Sequence, residues 1–389
     1  GTKSQNFYGI QEKKMINKVF SGKIFSDFLA NDNPKFYGGK FVRKFEDKLS
    51  KFYKMKYAIT FNSWTSGLIA AVGALDINPG DEIIVPTWTM TACPTSILFW
   101  GAKPVFADIS DKDFNIDPVS VEKKINSRTK AIMIVDIHGT PANYERLLEI
   151  KKKYKIKLIV DAAQAPGSKF KNKYTVNYSD IGGYSFNRHK HIQTGEGGVC
   201  LTNNKEIAMK AMLIRNHGEG VLSDPKKFKK MPMIGFNFRM TELQGAVGIA
   251  QLKKLSKVIE SQRSNKLAIK KELEKINAIE FRTIPTGSFE TADALIFFTK
   301  DKNSAINCRD KLIEKGLNTK ILPEAYTWHF AGTWDHIKEI SENNPKYKIN
   351  LQPSHDLLSK AVSIPITVKM NPSNPTKIKN AIEEALLKN

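Results

Sequence analysis

Cysteine is scarce in this chain: Cys93, Cys200 and Cys308 are the only three in 389 residues. They lie far apart with no CxxC pair, which excludes a disulfide framework and a cysteine-based zinc site. Cys93 and Cys200 fall within apolar segments and read as small core residues. Long apolar runs are missing too. Ala131-Ile132-Met133-Ile134-Val135 is among the longest and is far too short to span a bilayer. The opening stretch from Gly1 to Asn6 shows no apolar leader core, so a cytoplasmic protein with no membrane partner is expected. Acidic residues are the minority, 39 against 61 Lys and Arg, for a formal charge of +22. The lysines are scattered, as in Lys151-Lys152-Lys153 and Lys226-Lys227-Phe228-Lys229-Lys230, with no helix-turn-helix or finger pattern. Nucleic acid is therefore not the expected partner. A basic surface that draws in an anionic small molecule accounts for the charge better.

What is present is ordinary for a globular enzyme, with 41% hydrophobic and 26% charged residues. From Tyr57 to Thr202 short β-rich runs alternate with helical stretches. The strand candidates are Tyr57–Phe61, Glu82–Pro86, Pro104–Ala107, Ala131–Ile137, Lys157–Asp161, Gly183–Phe186 and Val199–Thr202. Helix candidates between them are Thr65–Leu75, Cys93–Trp100, Val119–Asn126 and Tyr144–Tyr154. That alternation predicts an α/β fold with a mostly parallel central sheet covered by helices. A long helical pattern runs from Thr241 through Leu252, Leu255, Ile259 and Leu267 towards Ile276. Ile279–Arg282, Ala294–Phe298 and a helix near Ile306–Lys315 predict a smaller α+β domain after it. The boundaries expected are an N-terminal arm over 1–39, with a helix near Phe45–Tyr53 following it, a large domain over 40–260 and a small domain over 261–389.

The chemistry centres on Lys190. An aromatic-serine-aromatic run, Tyr184-Ser185-Phe186, leads to it, and Gly195-Glu196-Gly197-Gly198 starts five residues after it. Upstream, Leu158-Ile159-Val160-Asp161 reads as a buried strand ending on a carboxylate. A lysine able to form a Schiff base and an aspartate able to hold a pyridinium nitrogen are the minimal equipment for pyridoxal phosphate chemistry. Alone, Lys190 would read as a solvated surface lysine; the paired segments argue otherwise.

These segments, with Gly80-Asp81-Glu82-Ile83-Ile84-Val85-Pro86-Thr87-Trp88-Thr89, Gly101-Ala102-Lys103-Pro104-Val105-Phe106-Ala107-Asp108 and Phe236-Asn237-Phe238-Arg239-Met240-Thr241-Glu242, resemble the DegT/DnrJ/EryC1/StrS sugar aminotransferases. The resemblance runs from about Tyr37 to Pro365. It implies the aspartate aminotransferase fold (pyridoxal phosphate fold type I) and pyridoxal 5'-phosphate as cofactor, with pyridoxamine phosphate as the intermediate carrier. It also implies a role for each matching residue. Lys190 is the Schiff-base lysine, whose amine must be neutral to attack a carbonyl and to shuttle a proton. Asp161 pairs with the pyridine nitrogen and Gln164 reaches the ring's phenolic oxygen. Asn62-Ser63-Trp64-Thr65-Ser66 is the phosphate turn, with Ser63, Trp64, Thr65 and Ser185 around the phosphate at a helix N-terminus. Trp64 departs from the family, which usually carries glycine there. Trp88 stacks on the cofactor ring, and Asn237 reaches the phosphate of a neighbouring subunit, which makes the protein a homodimer with shared active sites.

The implied reaction takes an amine from glutamate or glutamine and gives it to a keto-sugar. Related dehydratases carry histidine at the lysine position. Counting back five from Gly195 reaches Lys190 rather than His189 or His191, which favours transamination. The stretch from Gly316 to His336, with Trp328-His329-Phe330-Ala331-Gly332-Thr333-Trp334-Asp335-His336, is unusual among relatives that act on nucleotide-linked sugars. It resembles the branch that aminates a Kdo-like octulosonate. Arg188, Lys320, His329 and His336 are the candidates for holding an anionic substrate. The alternatives are a pyridoxamine phosphate-dependent keto-sugar dehydratase and, from charge alone, a nucleic-acid-binding regulator on the same fold.

Overall fold

The computed structural model describes residues 8–31, 33–219, 234–317, 322–323, 329–341 and 351–387. Its core element is a seven-stranded sheet in the order β1-β9-β8-β5-β4-β2-β3. These strands are β1 (Tyr57–Phe61), β2 (Glu82–Pro86), β3 (Lys103–Ala107), β4 (Thr129–Val135), β5 (Lys157–Asp161), β8 (Ile181–Ser185) and β9 (Gly198–Thr202). The strands β3, β2, β4, β5 and β8 pair in parallel, whereas β9 runs antiparallel to both β8 and β1. Continuous apolar runs such as Ile132, Met133 and Ile134 are fully buried, as a sheet covered on both faces requires. The helices in the crossovers are α3 (Trp64–Gly73), α4 (Ala92–Leu98), α5 (Pro118–Lys124) and α6 (Tyr144–Tyr154), followed by α7 (Lys205–Arg215). Strand bounds agree with the expected ones to within two residues at each end, and helix bounds to within about one turn.

Two features of the N-terminal region depart from expectation. The arm contains a helix, α1 (Ile10–Gly22), which buries only Glu12 and Val19. The next helix, α2 (Lys40–Tyr53), begins a turn earlier than Phe45 and buries Val42, Phe45, Leu49 and Tyr53 on one face. Each of these side chains stabilises the fold by roughly 1.5–3 kcal/mol.

The long helical pattern after Thr241 is divided into α8 (Glu242–Leu252) and α9 (Leu255–Leu273). At the break, Gln251 Nε2 and Lys254 Nζ both donate to Glu12 of α1, at 2.9 and 2.6 Å. Helix α8 packs closely on α2 because Gly248 faces Phe45, where a Cβ would stand 2.4 Å from the ring.

Beyond α9 lies a three-stranded antiparallel sheet, β10 (Glu280–Phe281), β12 (Ala294–Phe298) and β13 (Ala361–Pro365). Helices α10 (Lys302–Glu314) and α13 (Asn374–Leu386) share its core of Leu273, Leu295, Phe297, Leu312, Val362 and Ile382. The short helices α11 (Lys338–Ser341) and α12 (Gln352–Ser359) precede β13. A third small sheet, β6 (Lys169–Phe170), β7 (Lys173–Tyr174) and β11 (Ser288–Phe289), is too short to have left a strand signature in the sequence.

Candidate active site

In an open parallel sheet, ligands gather at the carboxyl ends of the strands. Strand β1 ends at Phe61, and two residues later α3 begins with Ser63 as its N-cap, its Oγ accepting from the Ser66 amide at 3.1 Å. Ser66 Oγ in turn donates to Asn62 Oδ1 at 2.7 Å. Trp64 is the first helical residue and lies outside the positive-φ set, so the turn keeps its form without a glycine. The Thr65 side chain is exposed at the helix mouth, where amides without intrahelical partners and the positive dipole end meet solvent.

Asp161 ends β5, 6% exposed, and its carboxylate is held by three donors. Oδ1 accepts from Trp64 Nε1 at 2.8 Å and from the Ala163 amide at 2.9 Å. Oδ2 accepts from Cys93 Sγ at 3.2 Å. Burial and the Asp161 charge push the Cys93 thiol well above its ordinary range, so the sulfur keeps its proton and donates it. Cys93, which reads from sequence as a plain core residue, is thus a partner of the site aspartate. Thr89 Oγ1 lies 3.0 Å from the sulfur, and no pattern in the sequence announces the pairing with Asp161.

Gln164 follows Asp161 by three residues, and its Oε1 accepts from the His138 amide at 2.7 Å. Strand β8, next to β5, ends on Ser185, whose Oγ accepts from the Asn187 amide at 3.2 Å. Lys190 follows in a turn closed by its own amide on Asn187 O at 2.9 Å and is half-buried. Arg188 and His189 are exposed beside it, whereas His191 is buried with Nε2 3.3 Å from Thr291 O.

Trp88 is 1% exposed, with Phe114 and His329 edge-on at centroid distances of 6.3 and 5.9 Å. The 329–331 segment is laid along it: Thr89 N donates to His329 O and Ala331 N to Thr87 O, both at 2.9 Å. The indole therefore has no open face in this arrangement. Trp334 is buried against Phe106, while His336 is exposed. Lys320 lies outside the described residues. Asn237 is exposed, its Oδ1 accepting from Arg239 Nε at 2.8 Å; its carbonyl lies 3.5 Å from Asn62 Nδ2, which sets this segment against the turn before α3.

The donor set fits pyridoxal phosphate. A carboxylate oxygen offers two lone-pair sites, so Oδ1 is filled by Trp64 and Ala163, whereas Oδ2 has one site left for a ring N–H. Ser63, Thr65 and the start of α3 suit a phosphate, and the half-buried Lys190 suits the aldehyde. No cluster able to hold a metal ion occurs among the described residues, and no helix among them is long and apolar enough to cross a membrane.

Comparison with known proteins gives the family and the fold. Residues 27–383 match the sequence family described as the DegT/DnrJ/EryC1/StrS aminotransferase family. The chain is 38% identical over 217 residues to the GDP-perosamine synthase of Caulobacter vibrioides, an alignment covering 56% of this chain and 57% of that protein. It is 32% identical over 291 residues to the GDP-perosamine synthase of Escherichia coli O157:H7, covering 75% and 78% of the two chains. Its fold superimposes with a TM-score of 0.83, at 23% identity and over 98% of this chain and 99% of the other, on a GDP-4-keto-6-deoxymannose-3-dehydratase solved with a trapped PLP-glutamate geminal diamine.

Proposed function

The chain belongs to the DegT/DnrJ/EryC1/StrS aminotransferase family, and from that premise we propose that it is a pyridoxal phosphate-dependent transaminase moving an amino group from glutamate or glutamine to an anionic keto-sugar. The observation that carries the reading is the placing of Asp161 and Ser185 at the carboxyl ends of adjacent parallel strands, with Lys190 in the turn that follows the second. The Asp161 carboxylate retains one unclaimed lone pair among the described residues. Pyridoxal phosphate supplies an electron sink for the pair left behind when the carbon bearing the amine loses its proton.

The chain's own residues do the rest. Asp161 Oδ2 would hold the ring nitrogen's proton, and Gln164, whose carbonyl is occupied by the His138 amide, would keep its NH2 for the ring oxygen. Ser63, Thr65, Ser185 and the first amides of α3 hold the phosphate. Lys190 Nζ would hold the cofactor through its aldehyde and, once released, would serve as the base and acid that takes up and returns a proton. The family resemblance has Asn237 reach the phosphate of a neighbouring subunit, which supports a homodimer as the working unit; within one chain its carbonyl lies 3.5 Å from Asn62 Nδ2.

Two sugar classes are in play. The names of the perosamine synthases favour a nucleotide-linked keto-sugar. The resemblance of the stretch from Gly316 to His336 favours a Kdo-like octulosonate instead. In either case Arg188, exposed two residues before Lys190, is the proposed counter-charge. His329, His336 and Lys320 are further proposed contacts.

Purified protein supplied with pyridoxal phosphate should show a visible absorption band that bleaches with glutamate or glutamine. Nitrogen-15 from the donor should appear in the sugar. No band and no aldehyde-reactive lysine would sink the reading. Loss of a sugar hydroxyl without nitrogen gain would assign a dehydratase instead.

A further inference from the structure

Trp64 touches both ends of the place a cofactor would occupy. Its backbone opens α3 at the phosphate turn, and its indole crosses to Asp161 Oδ1 at 2.8 Å. The slot for the ring is built into the chain. A Cβ at Gly67 would come within 2.8 Å of the indole, and one at Gly183 would meet Val199 O at 1.8 Å and the indole at 2.5 Å, so the ring packs against two bare positions. On the other side of the carboxylate, Cys93 Sγ stands 3.2 Å from Oδ2 and 3.0 Å from Thr89 Oγ1, an arrangement in which a hydroxyl can back a thiol that donates to the carboxylate.

We propose that Trp64 and Cys93 form a two-sided clamp that fixes the rotation of the Asp161 carboxylate and presents Oδ2 to the cofactor's ring nitrogen. The inference rests on the pyridoxal phosphate reading and adds positioning residues to it. The physical basis is directional. With both lone pairs of Oδ1 filled and one of Oδ2 taken by the thiol, a single acceptor direction is left. A ring N–H arriving along it meets a preset carboxylate rather than one that must first rotate. Without the indole donor the carboxylate gains rotational freedom and the ring nitrogen loses its fixed counter-charge, which lowers the fraction of ring that stays protonated. Trp64 also couples the two anchors, since a shift of the phosphate turn drags the indole and with it the carboxylate.

The test compares wild type with Trp64→Phe, which keeps an aromatic ring in the slot without the N–H, and with Cys93→Ala and Cys93→Ser. Each protein is loaded with pyridoxal phosphate labelled with nitrogen-15 in the ring. Two signals are read: the ring-nitrogen resonance and the pH midpoint of the visible band from the Lys190 linkage. Trp64→Phe and Cys93→Ala should both move the resonance towards that of a neutral pyridine. They should also raise the midpoint by about one pH unit, because a neutral ring disfavours the charged linkage less. Cys93→Ser, which restores a donor, should return both signals towards wild type. Should Trp64→Phe fail to fold, the cysteine pair decides alone. Unchanged resonance and midpoint in the variants, even with lowered thermal stability, overturn the clamp and leave the cofactor reading standing. A wild type with no visible band overturns both.

Discussion

Gln164 Oε1 accepts the backbone amide of His138 at 2.7 Å, and that bond ties the site loop after β5 to a residue in the left-handed region. His138 has a φ of 54°, a strained conformation for a side chain of its size, and lies one residue before Gly139 at 84°. The amide of Gln164 thus has its carbonyl anchored and its NH2 aimed elsewhere. Gln164→Ala removes both the anchor and the donor. The cofactor-dependent half-reaction should slow by roughly 10- to 100-fold, the effect of one lost positioned hydrogen bond. Stopped-flow absorbance with the amino donor alone measures it, and a rate within twofold of wild type would place Gln164 outside the chemistry.

Lys190→Ala should lower turnover by about four orders of magnitude or more while leaving the far-ultraviolet circular dichroism unchanged. Its side chain is half-buried in a surface turn, so no core cavity is created. Mass spectrometry after borohydride treatment should find cofactor attached to wild type and none attached to the variant.

Arg188→Ala should raise KM for the sugar roughly tenfold and leave the donor half-reaction alone. Arg188 is exposed, two residues before the half-buried Lys190. Equal sensitivity of both half-reactions, or equal wild-type activity on a neutral keto-sugar, would refute the charge argument.

Asp136 supplies a pH test of stability. Burial raises its carboxyl to about 6, with the Asp161 charge adding to the effect, although the Ala142 amide at 3.0 Å and the Tyr144 hydroxyl at 3.1 Å oppose it. A carboxyl raised on folding binds more protons in the native state, so its contribution is full below pH 4 and is lost as pH rises through 6. The stability difference between Asp136→Asn and wild type should therefore shift in favour of the variant across that window, by up to about 3 kcal/mol. Urea unfolding at pH 4.5, 5.5 and 7 reads it; a flat difference means Asp136 is ionised throughout.

Glu242 caps α2 from another part of the chain, its Oε2 and Oε1 accepting from the Phe41 and Val42 amides at 2.7 and 3.1 Å. Glu242→Ala leaves two buried amides without a partner and should cost about 2 kcal/mol, seen as a lowered Tm. A Tm unchanged within error would show that solvent replaces the cap.

Much of this protein was legible along the chain. The strands β1, β2, β4 and β5 announce themselves as short, mostly buried runs between helical stretches, because a sheet covered on both faces needs apolar segments. Asp161 and Lys190 were readable because strand ends and the turns after them carry function in such sheets, and because the motif order is specific. The N-cap Ser63 was readable from its local chemistry alone. Other features depend on contacts between distant segments and have no local signature. Helix α1 carries Met15, Ile16, Val19 and Phe20 but buries only Val19 of them, and its Glu12 accepts from Gln251 and Lys254, a contact no local pattern announces. The same contact divides a helical pattern that is continuous in sequence. Trp64 looked like an intrusion into a glycine position, and Cys93 like filler. Only packing brings them from positions 64 and 93 to opposite oxygens of one carboxylate at position 161. Periodicity reports which face of an element is buried; which polar atoms meet in the interior is decided by the close packing of elements far apart in the chain.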